Sequence, residues 1–393
     1  MDLICYSEWS AMGRGSALTR PNADECIAGV GFTSHREISS EGNHYAMPKH
    51  PLAIALLAAL LFGAATPASK ALLQKLPTFQ LAGLLYFGAA IGVIPLLVRE
   101  RRFSYPWDLD VKTGYRLLGA IGMGGVVGPL LLLFALSLAS AASVSLWLNL
   151  ELIATAILGF FIFRDELHLG GWGATAGILA AATLLSFSEG HAGVKAGLLV
   201  GAACFCWGLD NHFTALITTI SPAQTTFWKG LVAGIVNLSI GIQLDPYIAT
   251  FYVTTAAILV GVFSYGLSLV LYIASAQRLG AARSQIIFSS SPFFGVILAA
   301  VFLGESIYPA QMIAALMIAI SLALLFFEKH YHLHHHKATA HEHWHRHDDG
   351  HHHHSFPEME QSIYHGHWHE HKETTHAHQH WPDPQHRHEH EDD

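Results

Sequence analysis

The chain has 393 residues, of which 52% are hydrophobic and 13% charged, with a mean hydropathy of +0.36. That balance does not suit a water-soluble protein. The formal charge of −8 is concentrated at one end, because residues 329–393 hold 5 Lys/Arg against 12 Asp/Glu, together with 23 of the 29 histidines; the near-neutral remainder has no basic patch, which excludes a nucleic-acid partner.

Residues 1–46 have mixed polarity, no helical or strand periodicity and no apolar signal core. They are read as a disordered N-terminal extension, with Met47, in Met47-Pro48-Lys49-His50-Pro51, as a possible start. Pro51 to Phe327 is a strongly apolar stretch of 277 residues. A bilayer-spanning helix takes roughly 20 residues, so about ten crossings with short loops fit. Runs alternating apolar and polar residues, which a spanning barrel requires, are missing. The chain therefore reads as an all-α membrane protein.

Apolar runs fall at 52–74, 79–98, 117–138, 141–163, 168–187, 195–218, 223–243, 253–276, 283–303 and 308–327. With the N-terminus inside, Lys49, Arg99, Arg101, Arg102, Lys112, Arg116, Arg164, Arg278, Arg283 and Lys329 fall on cytoplasmic segments, against Lys75 and Lys195 outside. Basic residues of short loops are retained on the cytoplasmic side, so both termini face the cytoplasm of a plasma (bacterial inner) membrane. Cys5, Cys26, Cys204 and Cys206 imply no disulfide framework, since two of them lie in an apolar run. There is no GxxxxGK[ST] pattern and no loop long enough for a nucleotide-hydrolysing domain, so uphill transport would need an ion gradient.

The two halves repeat at an offset near 140 residues. Ala59-Leu60-Leu61-Phe62-Gly63 parallels Cys204-Phe205-Cys206-Trp207-Gly208, Phe79-Gln80 parallels Ala223-Gln224, and Ser140 to Asp165 parallels Gly280 to Glu305. Five crossings per copy is an odd number, so the second copy runs upside down and a solute site is expected at the interface near the midplane. With the Phe-Gly and Trp-Gly turns of helices 1 and 6 and an acidic residue closing helices 4 and 9, the chain resembles the drug/metabolite transporter superfamily of EamA type. That resemblance covers residues 50–328 and implies two inverted five-helix repeats, 50–188 and 194–328, in a transporter and not an enzyme. The family often carries Glu-Pro in helices 4 and 9; here the positions read Glu151-Leu152 and Ser291-Pro292.

Four charged side chains lie within the runs: Lys70, Glu151, Asp210 and Lys229. A polar group in a bilayer is costly unless satisfied, so each is a candidate site residue. Glu151 lies near the middle of helix 4, where desolvation favours the protonated form, and is assigned proton coupling. Helical spacing puts Trp147 and Thr155 on its face, as an aromatic wall and a second hydrogen-bonding group. Asp210 and Lys229 lie at similar depths in helices 6 and 7, which suits an ion pair acting as a clasp or a gate. Trp207, Asn211 and His212 extend the polar cluster of helix 6, and Gln285, Ser289 and Ser291 that of helix 9. Asn149 reads as interhelical glue and Lys70 as a side chain reaching for the interface.

Beyond helix 10, residues 329–393 are low-complexity and expected to be disordered. Histidines alternate at His341, His343, His345 and His347, at His365, His367, His369 and His371, and at His376, His378 and His380. No cofactor is required, but such imidazoles beside carboxylates are candidate ligands for Zn²⁺, Ni²⁺, Co²⁺ or Cu²⁺. The leading functional expectation is a proton-coupled exporter of small metabolites embedded in the lipid bilayer. The alternatives are a transition-metal exporter fed by the tail and a membrane-tethered metal buffer or sensor that transports nothing. The oligomeric state is left open.

Overall fold

The structure is a computed structural model. It describes residues 51–100, 103–163, 169–217, 219–279, 281–327 and, in the tail, 331–336, 339–345, 365–371 and 374–379. The expected extension 1–46 lies outside the described residues.

Without water, a backbone must satisfy its own hydrogen bonds, and this apolar chain does so as helices. Span 1 is α1 (Pro51–Gly63) and α2 (Ala65–Leu72), and span 2 is α3 (Thr78–Leu97). Span 3 is α4 (Val111–Ala120) and α5 (Gly128–Leu138), span 4 is α6 (Ala141–Trp147) and α7 (Leu150–Leu158), and span 5 is α8 (Leu169–Ser188). The second half repeats the order. Span 6 is α9 (Gly190–Ala215), span 7 is α10 (Pro222–Leu244), and span 8 is α11 (Phe251–Val260) and α12 (Ser268–Leu279). Span 9 is α13 (Ala281–Phe288) and α14 (Ser291–Leu303), and span 10 is α15 (Pro309–Phe327). Spans 1 to 8 are long and apolar enough to cross a membrane, whereas Ser291–Leu303 and Pro309–Leu324 are shorter apolar pieces. Large apolar side chains such as Leu57, Phe134, Phe161, Val301 and Leu316 are exposed, as lipid-facing residues should be.

The repeat is written into helix irregularities. Span 3 widens into a π-helix over Ile121–Val127 and span 8 does the same over Gly261–Leu267, an offset of 140 residues. Span 4 breaks at Leu148–Asn149 and span 9 at Ser289–Ser290, again nearly equivalent positions. Both kinds of irregularity free backbone groups, and such defects gather at functional sites.

Packing between the copies obeys the same two-fold relation: span 2 lies on span 7, span 4 on span 9 and span 5 on span 10, while spans 3 and 6 match spans 8 and 1. The span 2–span 7 pair is clasped at both ends. Gln80 Nε2 donates to the carbonyls of Gly241 (3.2 Å) and Asp245 (2.9 Å), and Gln224 Nε2 donates to Glu100 Oε2 (2.5 Å). These are the two glutamines paired by the sequence repeat.

Glycine lets span 2 and span 8 touch backbone to backbone. A Cβ on Gly88 would collide with the Ile258 carbonyl and the Gly261 Cα, and one on Gly92 with the Gly266 Cα. Gly88→Val is therefore expected to cost about 3 kcal/mol or more, seen as a lower unfolding midpoint and loss of the monodisperse peak in size-exclusion chromatography. Among polar caps, Asp110 accepts from Thr113 N (3.1 Å) at the start of α4, and its bonds with Thr113 hold the carboxyl below its ordinary value.

Four strands are described in the tail. β1 (Tyr331–His336) pairs antiparallel with β4 (Thr374–Gln379), and β2 (Thr339–His345) with β3 (His365–His371). The physical reason is the alternating His-x-His spacing, which matches the two-residue period of a strand. His347 and His380 lie outside the described residues.

Candidate functional site

A cavity of about 680 Å³ opens where the breaks of spans 4 and 9 face each other, lined from spans 1, 2, 3, 4, 6, 7, 8 and 9. Glu151 sits in the first turn of α7, the half-helix that starts after the break. Asn211 of α9 donates from Nδ2 to Glu151 Oε1 and to Thr155 Oγ1, both at 3.1 Å. Glu151, Thr155 and Asn211 thus form one hydrogen-bonded face of the cavity.

The residue before Asn211 on α9, Asp210, belongs to a charge pair. Lys229 Nζ donates to Asp210 Oδ2 at 2.7 Å, with side-chain exposures of 20% and 7%, and Thr214 Oγ1 donates to Asp210 Oδ1 at 3.2 Å. The pair leans on the π-helix of span 3, where a Cβ on Gly124 would overlap the Asp210 carboxylate. That turn also offers its Gly124 carbonyl to Tyr86 Oη (2.5 Å) and Trp207 Nε1 (3.2 Å), and its Gly125 carbonyl to Asn237 Nδ2 (3.2 Å). On the span 9 side, Tyr272 Oη donates to Gln285 Oε1 (2.7 Å) and Ser289 Oγ to the Gln285 carbonyl (2.9 Å), while Ser291 begins α14.

Trp147 and His212 are placed differently from the sequence expectation. Trp147 is fully buried away from the cavity and donates from Nε1 to the Ala182 carbonyl (3.1 Å). The break at Leu148–Asn149 resets the helical phase, so the four-residue spacing from Glu151 no longer means a shared face. His212 is outside the lining, its Nε2 lying 3.0 Å from the Thr155 carbonyl. Asn149, expected to bridge helices, bonds the Leu146 carbonyl of its own span (3.0 Å) and lines the cavity.

Aromatic residues missed by the sequence reading line the cavity as well: Phe62, Tyr86, Tyr265, Tyr272 and Phe288. For the three tyrosines a signal was available, since their hydroxyls lie within spans and not at an interfacial belt. Among the described residues of the bundle, within 51–327, no group of three or more His, Cys, Asp or Glu could hold a metal ion.

The model of the EamA-like transporter family matches residues 51–187 and 194–327, one match for each half. The chain belongs to the EamA-like transporter family. An uncharacterized transporter of Methanothermobacter thermautotrophicus is 29% identical over 221 residues, which is 52% of this chain and 62% of that relative. A solved crystal structure with 18% identity superimposes with a TM-score of 0.53, over 70% of this chain and 95% of that one, and shows the fold alone. The chain is a multi-pass membrane protein of a family of transporters, not enzymes.

In this EamA-like bundle the acidic residue that closes span 9 acts on the opposite repeat. Glu305 accepts from the backbone N–H groups of Ala141 (2.8 Å) and Ala142 (2.9 Å), capping the first turn of α6. Gln311 donates to Ser140 (3.2 Å) and Ser143 (2.9 Å), and both serines donate to Glu189. Nearby, Lys70 Nζ donates to the carbonyls of Leu136 (2.6 Å) and Ala139 (2.9 Å) at the end of span 3. Glu305→Ala removes a charged cap and is expected to destabilise the fold by about 1–2 kcal/mol, with Glu305→Asp falling in between when unfolding midpoints are compared.

Proposed function

We propose that this protein is a secondary transporter that exports a small organic metabolite in exchange for protons, with Glu151 as the proton carrier. The observation that carries the reading is a protonatable carboxyl at a helix break, inside a cavity shared by two inverted repeats. A partly buried carboxyl, held by a neutral Asn211 and facing the cavity, can lose its proton when solute or water enters and regain it when the cavity is exposed to the other side. The lining reaches Thr214, one residue from the end of α9. The basic loops assign that end to the cytoplasm, in keeping with loading from inside and with both termini cytoplasmic in a bacterial inner membrane.

The mixture of aromatic rings, amide and hydroxyl groups suits an organic solute better than a bare metal ion as the cargo. The test begins with thermal-shift screening of purified protein against metabolites and divalent cations, to find a stabilising solute. Proteoliposomes loaded with that solute should then show flux against its gradient when a pH difference is imposed, and lose it with a protonophore. Flux indifferent to the pH difference would overturn the coupling.

A further inference from the structure

The β2–β3 ribbon of the tail keeps its histidines at alternate positions, on one face. In the β2–β3 ribbon the register puts His341 opposite His369, His343 opposite His367 and His345 opposite His365. The alternate positions, Ala340, Glu342 and Trp344 opposite Glu370, Trp368 and Gly366, hold none. A slip of one residue would destroy every His–His pair, so this register is the one that sets histidine positions opposite one another. The β1–β4 ribbon also pairs His332 with His378 and His334 with His376, with His335 at an alternate position opposite Thr375.

Directly opposed residues in an antiparallel pair have Cβ atoms about 4.5–5.5 Å apart, and successive residues on one face are about 7 Å apart. Two adjacent rungs therefore bring together four histidine positions, the ligand number that tetrahedral Zn²⁺ takes. Neutral imidazole is also a preferred ligand for Ni²⁺ and Cu²⁺. A two-stranded ribbon alone is marginal in water, so a bound ion would supply much of its folding free energy.

We propose that the tail binds borderline divalent metal ions at sites built from paired histidine rungs, each site needing both strands of its ribbon. This is separate from the transport reading and can fail without affecting it. It differs from loose binding by a histidine-rich chain in one measurable way: partners on opposite strands are not interchangeable contributors but halves of a single site.

The experiment uses the full-length protein in detergent, titrated with Zn²⁺ against a competing chelator. One variant replaces His341, His343 and His345 with Asn, a second replaces His365, His367 and His369, a third combines them, and a fourth replaces His351 to His354. Either triple variant should lose the tight Zn²⁺ equivalents of the β2–β3 ribbon, the combination should lose no more, and the fourth should lose none. Absorption of bound Co²⁺ should show intense tetrahedral bands in the wild type, reduced equally in the first three variants. Losses that simply add with the number of histidines removed, an equal loss in the fourth variant, or no tight binding in the wild type would each overturn the proposal.

Discussion

Replacing Glu151 with Gln is expected to abolish solute flux driven by a pH difference while leaving the protein folded. The amide keeps the size of the side chain and can accept the Asn211 bond, given at 3.1 Å for the native carboxylate oxygen. The unfolding midpoint should therefore stay close to that of the wild type. What the amide cannot do is release a proton. Uphill flux should fall by at least about tenfold, corresponding to roughly 1.4 kcal/mol or more, and the residual flux should lose its pH dependence. Exchange of labelled for unlabelled solute across the membrane, which needs no net proton movement, should survive. Glu151→Asp should retain some driven flux, because it keeps the titratable group. Wild-type uphill flux in Glu151→Gln would remove the carboxyl from the mechanism. Loss of exchange as well as driven flux would instead place Glu151 in solute binding.

The bundle was legible because its signals are long and redundant. Runs of apolar residues fix the spans, basic loops predict their direction, and an odd number of spans per copy forces inversion. The glutamine pair Gln80 and Gln224 shows how a short motif match can carry real geometry, since each clasps the far end of the helix that carries the other. The cavity was less legible. A periodicity argument assumes an unbroken helix, and Trp147 shows the cost of that assumption when two residues, Leu148 and Asn149, interrupt the span. Apolar wall residues such as Phe62 and Phe288 could not be told from lipid-facing ones, because hydropathy has no direction in a fully apolar helix. Glu305 was noticed as a motif position, but its partners, two backbone N–H groups of the opposite repeat, are long-range and carry no side-chain signature.

The Asp210–Lys229 pair calls for a cycle of substitutions rather than a single one. At 2.7 Å and largely shielded from solvent, the two charges compensate each other, and removing one leaves the other without its counter-charge. Asp210→Asn or Lys229→Gln alone is expected to cost about 3–5 kcal/mol, read as a drop in unfolding midpoint. The double variant Asp210→Asn/Lys229→Gln should recover most of that loss, because no uncompensated charge remains. Flux then separates clasp from gate. A double variant that is stable and transports normally would make the pair a structural clasp between spans 6 and 7. A double variant that is stable and inactive would give it a part in the cycle, which is the expected result, since both residues line the cavity beside Asn211. Gly124→Ala provides the independent check: its added methyl would displace the Asp210 carboxylate without removing either charge, so it should weaken stability and flux together. If flux survives when the pair is pushed apart in this way, the pair does not gate.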